Sequence, residues 1–189
     1  MSAERPVGYF ITFSCYGTHP RGHERGSIDR SHNHFGEELF EPSSLRATVN
    51  HDQQRYAGFL LGPKRREIVL RSALGVCRHR GWRLWALHAR KTHVHAVISA
   101  SVLPKRILGD LKRYASRELT QAGTDPRPRR FWSRGGSCRY LWEPDDLEAA
   151  VVYVALLQGS PMARYLAPEL IVDEEYDSVM LSSWAQTYS

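Results

Sequence analysis

Two short strand-like runs lie between two helical segments in the middle of the chain, and this order constrains the fold more than any other feature. Residues 82–88 and 92–100 are rich in β-branched and aromatic side chains, and three residues connect them. Lys64 to Arg80 and Leu103 to Gln121 carry apolar residues at helical spacing. The first helix is introduced by Gly62-Pro63 and closed by Gly81.

The flanking segments extend this pattern. Residues 7–16 predict a strand, residues 131–133 and 138–142 predict the two arms of a hairpin, and Asp145 to Gln158 predicts a last helix with an Asp145–Glu148 capping box. The order β, α, β, β, α, hairpin, α predicts an α+β fold, in which helices cover an antiparallel sheet of about four to five strands.

The length of 189 residues suits one domain. We predict a domain over residues 1–165 with a long polar loop at 17–55, followed by an acidic C-terminal tail at 166–189. No run reaches the roughly 18 apolar residues of a membrane span, and the first residues lack an apolar signal segment. We therefore expect no membrane partner and a cytoplasmic location. The three widely spaced cysteines argue against a disulfide framework and a zinc ribbon.

The charge is unevenly distributed along the chain. The formal net charge is +6, but residues 1–140 carry +14 and residues 141–189 carry −8. A basic body followed by an acidic segment favours a polyanionic partner, most simply a nucleic acid, although a solvated surface has the same composition.

The sharpest local motif is the pair His93 and His95 in the predicted strand at 92–100. Because side chains alternate along a strand, both imidazoles point to one face, about 7 Å apart. Such a pair can hold one metal ion, or it can be two surface histidines on a half-buried strand. Tyr153 in the last helix is a candidate nucleophile, but its apolar neighbours also suit a core tyrosine. Tyr140 and Tyr165 compete with it.

In combination, these segments resemble the single-tyrosine HUH transposases, namely the transposases of small insertion sequences and the REP-associated tyrosine transposases. The likeness spans residues 7–160. It is carried by Tyr9-Phe-Ile-Thr-Phe13, His93-Val-His95, Leu111-Lys-Arg-Tyr-Ala-Ser-Arg-Glu-Leu119, the segment Phe131 to Trp142, and Tyr153-Val154 with Gln158-Gly159.

The resemblance implies a ferredoxin-like or RRM-like HUH nuclease fold and gives roles to four residues. Tyr153 would be the nucleophile that cuts single-stranded DNA through a 5′-phosphotyrosine intermediate. His93, His95 and Gln158 would bind Mg²⁺ or Mn²⁺. Members of the family commonly place the third ligand four residues after the tyrosine, whereas Gln158 follows Tyr153 by five. The helix must end or distort there if Gln158 is to reach the metal.

The resemblance also implies hairpin-bearing single-stranded DNA as the partner, a bacterial nucleoid-associated location, and a monomer or homodimer. Two alternatives remain open: a replication initiator or relaxase with the same chemistry, and a domesticated protein that binds hairpin DNA or RNA without cutting. The basic residues that follow His95 would contact phosphates, and interleaved aromatic residues would stack on bases. These candidate DNA-binding residues are Lys105, Arg106, Lys112, Arg113, Arg117, Arg129, Arg130, Trp132 and Arg134.

Overall fold

The computed structural model describes residues 5–18, 58–125 and 130–170. The predicted α+β class is confirmed: within these residues, three α-helices pack on one five-stranded antiparallel sheet. Most of the predicted polar loop at 17–55, Arg129, and the tail beyond residue 170 lie outside the described residues. The elements in chain order are β1 (Gly8–Ser14), α1 (Pro63–Arg80), β2 (Arg83–Ala89), β3 (His93–Ser99), α2 (Pro104–Gln121), β4 (Ser137–Leu141), α3 (Pro144–Ala155), β5 (Ala163–Leu166) and a 3₁₀ turn (Pro168–Leu170).

The strands lie in the order β4-β1-β3-β2-β5. The first six elements, from β1 to β4, form the β-α-β-β-α-β arrangement of the ferredoxin-like fold, to which α3 and β5 are added. Strand β3 is central, so both of its faces are covered and its residues 94–98 are buried. A residue on β3 is therefore close to whatever packs on either side of the sheet.

Helices α1 and α2 cover one side of the sheet, which we call the apolar face. There Ile11 and Phe13 of β1 and Val94 of β3 are buried against the two helices. All three helices begin with proline in the first turn, where the missing N–H costs no helical hydrogen bond. Gly81 closes α1 in the left-handed conformation with φ +67°, as the sequence predicts.

Helix α3 covers part of the opposite side, which we call the histidine face. A smaller apolar cluster joins Val151 and Val154 of α3 to Ala86, Val97 and Leu141 of the sheet. A β-bulge between Leu84 and Ala86 shifts the register of β2. After the bulge, Ala86 is opposite Val97 and His88 is opposite His95, and all four lie on this face. The uncovered end of the face carries polar side chains.

The predicted hairpin at 131–142 is wrong. Strand β4 pairs with β1, and Trp132 forms an isolated bridge to Cys15 beyond the other end of β1. Both arms therefore follow the same edge of β1 in succession, with a bulge at residues 133–136 between them. This arrangement satisfies the backbone groups along β1, which a separate hairpin would leave unpaired.

The last predicted helix needs two corrections. Its capping box is formed by Glu143 and Asp146 rather than by Asp145 and Glu148, because Pro144 starts the helix one residue earlier. The helix ends at Ala155, so Gln158 lies beyond it. The chain then forms β5, which the sequence did not predict, and β5 crosses the boundary that we placed between residues 165 and 166.

Candidate active site

The histidine face carries a row of polar side chains across the centre of the sheet. Thr12 of β1, His95 of β3 and His88 of β2 are directly opposed in the two strand registers, so all three point to the same side. His93 lies two residues before His95 and shares this face. Their ring centroids are 4.7 Å apart, which confirms that the two imidazoles are neighbours.

Hydrogen bonds fix the orientation of both imidazoles. The hydroxyl of Thr12 bonds to Nδ1 of His95 at 2.8 Å, and the hydroxyl of Thr92 bonds to Nδ1 of His93 at 3.0 Å. Histidines that bind metals generally use one ring nitrogen for such a positioning contact and the other for the metal. The pair is thus oriented as metal-binding histidines are.

Tyr153 projects from α3 onto the same group of side chains. Its ring makes an edge-to-face contact with His95 at 5.9 Å between centroids, and with Phe10 at 5.8 Å. Phe10 also stacks on His95 at 5.6 Å, so the three rings form one cluster. The Tyr153 side chain is nevertheless 41% exposed. One side of the Tyr153 ring therefore packs on Phe10 and His95, and the rest of the side chain is accessible from solvent.

The two competing tyrosines lie on the other side of the sheet. Tyr140 is opposite Tyr9 in the β1–β4 register, and Tyr165 packs against the core of the apolar face. The alternation of side chains places both away from His93 and His95. Among the tyrosines in the described part of the chain, Tyr153 is the one that packs on His95.

Gln158 reaches the histidines because α3 ends before it. The side chain of Gln158 lies near the ring of His95 and, as a hydrogen-bonding neighbour, partly offsets the lowering of its pKa. Leu156 caps the helix, and Gly159 follows Gln158 with φ +69°. Gln158 can therefore lie near the histidines although it follows Tyr153 by five residues, because the two residues before Gln158 are not part of the regular helix.

Burial favours the neutral form of His95 and His88. Desolvation is the main cause that lowers the pKa of His95 to about 3, with the neighbouring His93, His88 and Arg90 adding to it, and only 7% of the residue is exposed. Burial also lowers the pKa of His88. Nδ1 of His88 donates to the carbonyl of Val154 at 3.3 Å, and its Nε2 accepts from the amide of Met162 at 3.1 Å. His88 thereby ties the end of the Tyr153 helix to the sheet.

The donor set fits a divalent cation. Neutral imidazole is the form that binds metal ions, and the amide of Gln158 adds an oxygen donor. Within the described residues, no three His, Cys, Asp or Glu side chains are grouped to hold a metal. A cation at this position would thus depend on two imidazoles and one amide, which leaves coordination positions for phosphate oxygens.

The structure separates the candidate DNA-binding residues into three groups. Lys105, Arg130 and Arg134 are exposed. Arg106 and Arg113 pair with the buried carboxylate of Asp110 at 3.4 and 2.6 Å, and Arg117 pairs with Glu118 at 3.2 Å, so these charges are partly compensated within α2. The ammonium of Lys112 donates to the carbonyls of Ser133 and Gly135, and burial lowers its pKa to about 8.

Trp132 is a correction to the sequence-based interpretation. Its residue is 6% exposed, its ring packs edge-to-face on Phe13 at 4.9 Å, and its Nε1 donates to Lys112 and Ser116 of α2. A ring buried in this way cannot stack on a base. The exposed aromatic pair is Tyr140 and Trp142, whose rings stack at 5.7 Å and 13°.

Three residues of the site were not identified from the sequence: Thr12, His88 and Arg90. Thr12 carries no local signal, and only the strand registers place Thr12 and His88 beside His95. Arg90 was assigned to a connection between strands. A search for polar residues at inward positions of predicted strands would have drawn attention to His88, since it interrupts an apolar run.

None of the described helices has the length and apolarity of a membrane span. Neither a family model nor a curated protein matches the sequence. Among solved structures, the chain is similar to a REP-associated tyrosine transposase bound to a REP hairpin, at 12% identity and a TM-score of 0.43, over 82% of this chain and 68% of the other. A likeness at this level assigns neither family nor activity to this chain.

Proposed function

We propose that this protein cuts and rejoins single-stranded DNA through Tyr153, in a transposase-type reaction. The observation that carries this proposal is the convergence of four side chains from distant parts of the sequence. Tyr153 and Gln158 both contact His95, and His93 lies beside it. An exposed tyrosine whose ring packs beside oriented imidazoles is an arrangement suited to phosphoryl transfer, since a nucleophile and a cation-binding group lie close together.

The reaction conserves the phosphodiester bond. The oxygen of Tyr153 attacks the scissile phosphorus, the bond to the 3′-oxygen breaks, and the proton lost by the phenol is balanced by the proton gained by the leaving 3′-oxygen. The products are a 5′-phosphotyrosine linkage and a free 3′-hydroxyl. Attack by another 3′-hydroxyl reverses the step, so that strands are joined without ATP.

His93, His95 and Gln158 would hold Mg²⁺ or Mn²⁺, in agreement with the fit of the donor set. When bound, the cation supplies Lewis-acid polarisation of the phosphate and charge neutralisation. The protein residues supply the geometry. Thr12 and Thr92 orient the imidazoles, Phe10 supports the rings of Tyr153 and His95, and His88 fixes the end of α3.

The DNA strand would approach across the uncovered end of the histidine face. Exposed cations at Lys105, Arg130 and Arg134 can contact phosphates. Tyr140 of the edge strand β4 and Trp142 just after it form a stacked, exposed aromatic pair, and Tyr140 points away from the histidines. Unpaired bases of a strand that passes over this edge of the sheet would stack there, the role that the sequence suggests for Trp132. We propose hairpin-bearing single-stranded DNA as the substrate.

The decisive experiment is the capture of a covalent adduct. The full chain is incubated with a hairpin-bearing single-stranded oligonucleotide and Mg²⁺ or Mn²⁺, and the products are separated on a denaturing gel. We expect an adduct with the wild type and with Tyr165→Phe, the control on the apolar face, but none with Tyr153→Phe. An adduct with Tyr153→Phe would contradict the assignment of the nucleophile. Hairpin binding by the wild type without an adduct under either metal would favour a non-cleaving DNA-binding protein.

A further inference from the structure

The connection between β2 and β3 places an arginine beside the histidines. His88 and His95 are directly opposed, and the amide of Arg90 donates to the carbonyl of His93 at 2.8 Å, which closes the hairpin. Because Arg90 is two residues after His88 and His93 is two before His95, alternation puts all four on the histidine face. Three imidazoles and one guanidinium thus form a two-by-two block at this end of the sheet.

The guanidinium of Arg90 lacks a full set of partners. Its Nη1 is buried and has no hydrogen-bond acceptor within the described chain. Its Nη2 lies 3.8 Å from the position that a Cβ on Gly159 would occupy, so the guanidinium reaches the residue next to Gln158. A buried guanidinium nitrogen without an acceptor is unfavourable, since its lost hydration is uncompensated.

The described surroundings of Arg90 add further positive charge. Nη1 of Arg164 donates to the carbonyl of Ala155 at 2.9 Å, and Nη1 of Arg66 donates to the carbonyl of Leu61 at 3.1 Å, while Nε of Arg66 is also buried without a partner. The positive charges of Arg90, Arg164 and Arg66 all act on His88. The ion pairs found in the described ranges do not involve these three arginines. Within the part of the chain that the structure describes, these three positive charges are therefore not neutralised by an ion pair.

We propose that Arg90 binds a non-bridging oxygen of the scissile phosphodiester. The inference depends on the proposed function, and it assigns a substrate-binding residue to the same site. A guanidinium donates two parallel hydrogen bonds to a phosphate and keeps its charge at any working pH. Its contact strengthens as negative charge develops on the equatorial oxygens during displacement, so its main effect is on the rate rather than on DNA affinity.

The test compares Arg90→Gln and Arg90→Lys with Arg78→Gln, which removes the same charge from an exposed position in the last turn of α1. Single-turnover adduct formation and the dissociation constant for the hairpin oligonucleotide are measured for each variant. We expect Arg90→Gln to slow the reaction by about 100-fold or more. We expect Arg90→Lys to recover part of that rate and Arg78→Gln to match the wild type. The dissociation constant should change much less than the rate.

A second measurement separates this inference from the proposed function. The melting temperature of each protein is measured with increasing inorganic phosphate, with chloride at equal ionic strength as reference. Phosphate should stabilise the wild type and Arg78→Gln more than Arg90→Gln. If the wild type forms no adduct but is still stabilised more by phosphate than Arg90→Gln, Arg90 binds an anion as proposed and the proposed cleavage by Tyr153 is wrong. If Arg90→Gln forms the adduct at the wild-type rate and gains as much stability from phosphate, the proposal for Arg90 is wrong while the role of Tyr153 stands.

Discussion

The two faces of the sheet are built from the same strands but differ in what they hold: one buries apolar side chains, and the other carries polar side chains near solvent. On the apolar face, Val94, Ala96 and Ile98 of β3 are fully buried against α1 and α2. On the histidine face, the alternate positions of β3 are His93 and His95, and α3 covers only part of the surface. The apolar face contributes stability in proportion to the area removed from water. The histidine face gives up part of that contribution to hold polar groups near solvent.

Polar groups are buried on the histidine face only where a hydrogen bond compensates for the lost water. His95 bonds to Thr12, and His88, of which 1% is exposed, uses both ring nitrogens. Each of these bonds crosses between elements: β1 to β3, and β2 to the end of α3 and the segment before β5. The contacts that orient the candidate active site therefore also join the outer elements to the sheet.

Two phenylalanines of β1, one on each face, give the largest expected difference between the two faces. Phe13→Ala removes a buried ring from the apolar face, where it packs on Trp132, and should lower the free energy of unfolding by about 3–5 kcal/mol. Phe10→Ala, on the histidine face, should cost less stability because Phe10 is half-buried, yet it should slow adduct formation by about 10- to 100-fold, because the ring supports both His95 and Tyr153. Urea unfolding and single-turnover kinetics measure the two effects. Equal stability losses with an unchanged rate in Phe10→Ala would remove the distinction between the faces.

Gly136 tests the bulge that brings the chain from Trp132 into β4. Its φ is +154°, and an added Cβ would lie 2.7 Å from the carbonyl oxygen of Thr12. Gly136→Ala should therefore destabilise the protein by about 1–3 kcal/mol and displace the strand that carries Thr12. Gly75→Ala is the matched control, since it lies on the exposed side of α1 with open space around it and should stabilise by about 0.5–1 kcal/mol. Thermal unfolding measures the stability of both variants. If Gly136→Ala is as stable as the wild type, the bulge can relax to accommodate the added Cβ.

Thr12→Val should have the smallest effect on stability and a clear effect on function. The substitution preserves shape and removes the hydroxyl that bonds to Nδ1 of His95, at a cost of about 1 kcal/mol. Loss of such an outer contact should raise the Mn²⁺ concentration needed for half-maximal adduct formation by about 10- to 100-fold. Thr12→Ser, which keeps the hydroxyl, should stay close to the wild type. If Thr12→Val and Thr12→Ser show the same Mn²⁺ dependence, the hydroxyl does not orient the histidine.

Local patterns were sufficient for most of the secondary structure. Helices α1 and α2 and strands β2 and β3 fall within one or two residues of their predicted bounds, since apolar periodicity and the Gly and Pro residues at their ends are local signals. The prediction was wrong where pairing at long range decides. Phe131 to Leu141 looked like a hairpin because its turn residues are local, whereas the open edge of β1 binds both arms in turn. The four-residue strand β5 has no pattern of its own and forms because the edge of β2 is available.

For the basic helix α2, local sequence likewise does not show which of the positive charges are neutralised. Its arginines look like a row of phosphate contacts in the sequence, but the structure groups Arg106 and Arg113 around Asp110, together with Arg80 from α1 at 3.1 Å. A buried carboxylate attracts the nearest cations, and which cations are nearest depends on how the helices pack. Composition alone therefore overestimates the uncompensated charge on this helix.

The sequence by itself determined the order of the elements, the alternation that sets His93 and His95 on one face of a central strand, and the concentration of positive charge before residue 140. These properties depend on neighbours within a few residues. Only the tertiary structure decided that Tyr153, rather than Tyr140 or Tyr165, packs on His95, that Gln158 lies near the same imidazole, and that Thr12, His88 and Arg90 lie beside the two histidines. The physical reason is that strand register and the docking of α3 bring together residues up to about 150 positions apart in the chain, and no local periodicity encodes such contacts.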